Sequence, residues 1–272
     1  MTVYVKVLPV EQSQRKLARL TKPGRVTLKI LVPVLVLAGW QLASVKASST
    51  SFSLPSPTQV LAGFKELWQN GQIEAAIPAS LSRAGLGLLF GLAVGIPFGV
   101  LNGLFRSFED LFDATFQIVR VIPFIALVPL FIIWFGIGQP MKIILIAMAS
   151  AFPAYINTYA AVRLVDRKLV EAGKTFGLSR AAIIAAIILP AALPSILVGV
   201  RSAMGVALLA LIVAEQVNSS AGIGHIIYVA SNSLRIDLIM VGIIMYAVLG
   251  LLVDILMRLI ERYSMPWLDR AR

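Results

Sequence analysis

Long apolar runs alternate with short charged segments from one end of the chain to the other, and this pattern predicts six membrane-crossing helices. The runs are Thr27–Val45, Ser80–Leu104, Leu111–Trp134, Met141–Val162, Ile187–Ala214 and Ile236–Leu259, each near the length needed to cross a bilayer. The first is the shortest: its uncharged part, Ile30–Val45, has 16 residues, so Lys29 and Lys46 are expected to snorkel toward the headgroups. The third contains Pro123 and Pro129 and is expected to bend there. Between the first two runs, Pro57–Trp68 places Val60, Leu61, Phe64 and Leu67 on one side, as in a helix lying at the membrane interface. Gly87, Gly91, Gly95, Gly99 and Gly103 recur every four residues, a spacing that sets one small face for close helix packing.

Composition agrees. The 272 residues are 58% hydrophobic and 14% charged, against about 45–50% and a quarter in soluble domains. There is no cysteine, which removes disulfides, thiol chemistry and cysteine metal sites, and the single histidine, His225, makes no metal site alone. No G-x-x-x-x-G-K-[ST] loop is present, so a nucleotide-driven process needs its ATPase on another chain. No cofactor, metal or nucleic-acid partner is expected.

The net charge of +11 is distributed unevenly. With six spans, 17 Lys and Arg fall on the side of both termini and four, Lys46, Lys65, Lys142 and Arg235, on the other. Arg83, Arg120 and Arg201 lie in or beside spans and are left out of this comparison. The asymmetry puts the termini in the cytoplasm. The expected organisation is a cytoplasmic leader over residues 1–26, a single transmembrane domain over 27–262 and a cytoplasmic tail over 263–272. The leader lacks the apolar core and cleavage site of a signal peptide and reads as a basic segment on anionic lipid.

One charged segment, Glu171–Pro190 (EAGKTFGLSRAAIIAAIILP), is wedged between apolar runs and reads as a helix followed by a break. Gly177 marks either a bend or a close backbone approach, and Pro190 falls in an otherwise helical apolar region. The spacing from Glu171-Ala172 through Gly177 to Leu189-Pro190 resembles the EAA signature of membrane subunits of binding-protein-dependent ABC importers, with Gly173 where many members carry alanine. The segments Val119–Gly138, Phe152–Asp166, Ile188–Gly205 and Ile212–Ile227 are similar to the aliphatic-sulfonate branch, with taurine, nitrate and bicarbonate permeases as cousins.

The resemblance implies an all-α polytopic fold of six transmembrane helices with a cytoplasmic coupling helix, the type I ABC importer permease fold. It implies a homodimer, or a pair with a close relative, on two cytoplasmic ATP-binding subunits. A periplasmic or lipid-anchored solute-binding protein would deliver a small anion, and membrane lipid would surround the spans. Glu171, Ala172, Gly173, Lys174, Gly177, Arg180, Leu189 and Pro190 would then couple to the ATPase.

Charges inside apolar stretches are costly unless paired or functional, which singles out Arg120, Arg201, Glu215 and Asp254. Arg201 either attracts the anion or pairs across helices, with Asp254 as a candidate partner. Arg120, Pro123, Ser150, Asn157, Ser195, Arg201, Ser202, Gly205 and Glu215 are candidates for the pathway or its gate. An ion-gradient-driven transporter or a membrane scaffold is the competing class. The two related halves usual in secondary transporters are absent from this sequence, and an enzyme would need a cluster of nucleophile, base and metal ligands that cannot be assembled here.

Overall fold

The computed structural model describes Leu31, residues 34–44 and residues 54–265. It divides into two units, one ending at Gln59 and one beginning at Val60. In the first, α1 (Val34–Ser44) is apolar, and Trp40 Nε1 donates to Pro55 O at 3.0 Å. Ser56 and Gln59 form a reciprocal cap at the start of α2 (Pro57–Gln69): Ser56 N donates to Gln59 Oε1 at 2.7 Å and Gln59 N to Ser56 Oγ at 3.2 Å. The leader, most of the first expected span and residues 266–272 of the expected tail lie outside the described residues.

The second unit is a bundle of α3 (Gln72–Leu104), α4 (Arg106–Val121), α5 (Val128–Phe135), α6 (Gln139–Arg163), α7 (Arg167–Thr175), α8 (Arg180–Ile183), α9 (Leu189–Gln216), α10 (Ile223–Asn232) and α11 (Ile236–Ser264). Four segments, 72–104, 139–163, 180–216 and 236–264, are each long and apolar enough to cross a membrane. A fifth is broken: Ala114–Val121 and Phe124–Phe135 meet at 84°. The bend falls at Pro123, whose ring fixes its own backbone and whose missing N–H ends the preceding helix. Pro129, also expected to bend the run, is instead accommodated in the first turn of α5. The second expected span begins eight residues earlier than the hydropathy suggests, at Gln72, and the fifth continues back through α8 and a π-helical turn, Ile184–Ile188.

The seam between α3 and α6 organises the bundle. A Cβ added at Gly87 would lie 2.5 Å from Ile146, at Gly95 2.4 Å from the Ala151 carbonyl, and at Gly103 2.7 Å from Val162. The partners advance along α6 in step with the glycines, so the two helices run in the same direction with their backbones in contact. α4 runs the other way along α6, with Glu109 bonded to Tyr159 and Phe116 stacked on Tyr155. α9 packs on α6 and also touches α3, burying Met204, Ala207, Leu211 and Ala214. One end of the bundle carries α7; the other carries α10.

Candidate functional site

At the α10 end the bundle encloses a cluster of charges. Glu215, near the end of α9, is fully buried. Its carboxylate accepts from Arg83 Nη1 (2.7 Å) and Ser80 Oγ (2.8 Å) on α3, from the Gly224 N–H (2.8 Å) on α10 and from Tyr246 OH (3.2 Å) on α11. Arg83 also donates to Gln139 Oε1 and to the Ala221 carbonyl, both at 2.7 Å. Ser80 Oγ in turn accepts from the Ile223 N–H at 2.9 Å. Gly222 (φ +137°) and Gly224 leave room for this carboxylate, since a Cβ at either would strike Glu215. Lys142, buried on α6, donates to Ser219 Oγ at 2.6 Å. This clasp ties five helices, α3, α6, α9, α10 and α11, and the 217–222 loop together. Beside it on α10, burial pushes the half-buried His225 imidazole below its ordinary range, and the Lys142 charge acts in the same direction.

The charge pattern alone does not reveal the clasp. From the sequence alone Arg83 belongs to neither face, Lys142 reads as an outer-face charge, and Glu215 is a candidate for the pathway. Glu215 faces the bundle interior, where Arg83 neutralises it. Two opposite charges in separate apolar runs, neither with a local partner, are the signal that could have joined them.

At the α7 end, Asp166 caps α7 by accepting from the Lys168 N–H at 2.9 Å, and Ser179 caps α8 by accepting from the Ala182 N–H at 3.2 Å. Gly177 is not inside a helix. It sits at φ +75° just past α7, with Leu178 N–H donating to Gly173 O (3.0 Å) and Gly177 N–H to Lys174 O (2.9 Å), the Schellman stop of a helix. A Cβ there meets nothing within 4 Å, so within this chain Gly177 makes a turn rather than a close approach. Gly173 makes the close approach: it is buried, and a Cβ would come within 2.6 Å of Ile187 Cδ1. Glu171, Ala172, Lys174, Arg180 and Pro190 are exposed, and Leu189 is half-buried. Beside them, Leu164 (83%), Phe176 (85%) and Leu169 (50%) are apolar side chains left open. The Glu109 carboxyl on α4 is held below its ordinary range by the Tyr159 hydroxyl (2.5 Å) and then by Arg163, against the opposing effect of burial.

The remaining candidates separate. Ser150 is fully buried in the α3–α6 seam against Gly91 and donates to Ile146 O at 2.8 Å. Asn157 is half-buried, donates to Pro153 O at 2.8 Å and packs against Gly199. Ser195, Ser202 and Gly205 are exposed along one side of α9, together with Val198 and Leu209. Arg201 pairs with Asp254 and lies 3.4 Å from Glu261, both on α11. Arg120 and Pro123 are exposed at the bend after α4.

Parallel apolar spans, a helix broken at mid-course, a short capped helix displayed at one end and charges sealed inside define an integral membrane transport subunit. Residues 87–263 match the family described as the binding-protein-dependent transport system inner membrane component, and the chain belongs to it. The chain is 42% identical over 236 residues to a protein of Escherichia coli (strain K12) provisionally named aliphatic sulfonates transport permease protein SsuC, covering 87% of this chain and 90% of that one. Its counterpart in Bacillus subtilis (strain 168) is 38% identical over 250 residues, covering 90% and 91%. The taurine transport system permease protein TauC of Escherichia coli (strain K12) is 34% identical over 255 residues, covering 89% and 90%. Among solved structures, an amino acid ABC transporter crystallised with histidines superposes with a TM-score of 0.62 at 18% identity, over 75% of this chain and 98% of that one. The MetNI methionine ABC transporter in an inward-facing form gives 0.60 at 20% identity, over 71% and 96%. These two likenesses concern the fold. The chain is therefore the multi-pass membrane subunit of an importer whose other components bind solute and ATP.

Proposed function

We propose that this chain forms the transmembrane path of an ATP-driven importer that brings aliphatic sulfonates into the cytoplasm. The observation that carries the substrate is the gradient of similarity: 42% identity to the sulfonate permease of Escherichia coli against 34% to the taurine permease of the same organism. Taurine is itself a sulfonate and is the second reading; nitrate and bicarbonate follow.

Two copies would enclose the path, facing each other through the exposed side of α9 that carries Ser195, Ser202 and Gly205, with Asn157 and the Pro123 bend nearby. The charge asymmetry supports an orientation in which the termini and α7 lie in the cytoplasm. There, α7 and its open apolar neighbours Leu164 and Phe176 suit a groove in an ATP-binding subunit. Closure of the two ATP-binding subunits would move α7, and α8 with the π-turn would pass that displacement to α9 as a rigid body.

Uptake in proteoliposomes tests this. The complete complex with its binding protein is supplied with ethanesulfonate, taurine, nitrate or bicarbonate in turn. ATP-dependent accumulation of ethanesulfonate is expected to exceed that of the others; preferential uptake of nitrate or bicarbonate would overturn the sulfonate reading. A reporter fused after Ser107 is expected in the cytoplasm and one at Gly71 outside, and the reverse would overturn the orientation.

A further inference from the structure

α4 carries an aromatic strip and, next to it, a polar one. Phe112 and Phe116 pack on Phe98 of α3 at 6.1 and 5.7 Å, and Phe116 stacks on Tyr155 of α6 at 4.3 Å. Arg106, Glu109, Asp110, Gln117 and Arg120 fall within an arc of about 100° on the helix, bordered along one edge by Phe116 and, further round, by Phe112. This polar row climbs along α6. It starts beside Tyr159 and Arg163 at the α7 end, where Glu109 is bonded, and passes Phe116 near the middle of that helix. Arg120 comes one turn later, about 6 Å deeper, just before the 84° bend.

A cation at that depth must be paired or face water. Arg83 has Glu215, Arg201 has Asp254 and the buried Lys142 has Ser219. Arg120 is exposed, and no salt bridge joins it to a carboxylate among the described residues.

We propose that the polar row of α4 is a wall of the solute path in the half of the membrane nearest α7, and that the Arg120 guanidinium receives the anionic head of the solute at the bend. This rests on the reading that the chain moves an organic anion. A guanidinium presents a planar set of donors that fits the oxygens of a sulfonate or carboxylate. A lone guanidinium at the bend, open to water, also holds an anion loosely enough to release it.

The chain contains no cysteine, so single cysteines report cleanly. In the reconstituted complex, Arg120→Cys is expected to lower ethanesulfonate uptake about ten-fold, the loss of one charge-assisted contact. Modification with aminoethyl methanethiosulfonate, which restores a cation, is expected to recover uptake several-fold; the sulfonatoethyl reagent, which adds an anion, is not. Asp110→Cys and Arg120→Cys are expected to react much faster with either reagent than Ile118→Cys, which lies off the polar row. Wild-type uptake by Arg120→Cys, equal effects of the two reagents, or equally slow labelling at all three positions would overturn the proposal. If the Arg120→Cys complex does not assemble, Arg120→Lys is expected to outperform Arg120→Gln about ten-fold, and equal uptake would count against the assignment. Failure of the wild-type complex to transport any sulfonate would defeat the substrate reading, while the labelling pattern would still decide whether α4 is the wall.

Discussion

The Arg83 guanidinium lies 2.7 Å from the Glu215 carboxylate, and neither side chain is more than 3% exposed. The two residues come from spans far apart in the chain, yet each supplies the countercharge that makes the other tolerable inside an apolar bundle. Glu215→Ala leaves Arg83 buried with its charge uncompensated and is expected to destabilise the permease by about 3–5 kcal/mol. Thermal unfolding in detergent measures this. A shift no larger than that of a surface control such as Glu74→Ala would show that the pair is not structural.

The glycine seam makes a sharper comparison. Gly91→Leu forces a side chain into the space now held by Ser150 and the Ala147 carbonyl, whereas Gly85→Leu meets nothing within 4 Å. Overpacking of this kind costs about 1–3 kcal/mol or more, and here backbone stands in the way. The expected outcome is loss of folded Gly91→Leu protein by size-exclusion chromatography, with Gly85→Leu recovered at wild-type yield.

Gly177→Trp is expected to insert and fold, because no atom of this chain opposes the new side chain. Its positive φ adds about 1–2 kcal/mol of strain to the α7 stop. The larger effect falls on coupling: ATPase stimulation by the solute-loaded binding protein is expected to drop sharply, or the ATP-binding subunits to be lost on purification. Gly177→Asn, which tolerates the same backbone, should retain most of the stimulation. Glu171→Lys should act in the same direction as Gly177→Trp but more weakly. Full stimulation in Gly177→Trp would remove α7 from the coupling role.

Acid should weaken the attachment of α2 to the start of α11. Arg235 donates to Glu66 at 2.8 Å and to Asp237 at 2.7 Å. The Arg235 hydrogen bond holds the Glu66 carboxyl below the ordinary glutamate range, with local burial opposing. A folded-state pKa below the unfolded one means the unfolded chain takes up the proton first. The contribution is therefore present above the ordinary glutamate pKa and is lost as pH falls through it toward the lower folded value. Melting temperatures across that acid window should fall less steeply in Glu66→Gln than in the wild type.

Much of this architecture is legible in the chain because membrane physics leaves few choices. Apolar run lengths locate the spans, and a glycine every fourth residue predicts a close helix contact before its partner is known. The relationships that escape are those settled by three-dimensional placement. Gly177 advertises backbone freedom, but the hydrogen bonds from Leu178 and itself back into α7 decide that the freedom is used for a turn. Gly173 looks like a departure from a motif and is in fact where Ile187 seats. Ser150 has the polarity expected of a channel wall, yet its hydroxyl is spent on the Ile146 carbonyl of its own helix. Pro123 predicts a bend, but not that the chain would turn by 84°.

From Gly87 to Gly103 the seam leaves no clearance between α3 and α6 over about 24 Å. Two rods locked in this way cannot slide past each other by even the width of a methyl group without unpacking, so they answer a push as one beam. That beam begins beside the clasp of Arg83 and Glu215 and ends beside Tyr159 and Arg163. A displacement imposed at one end of this pair would therefore be felt at the other by leverage.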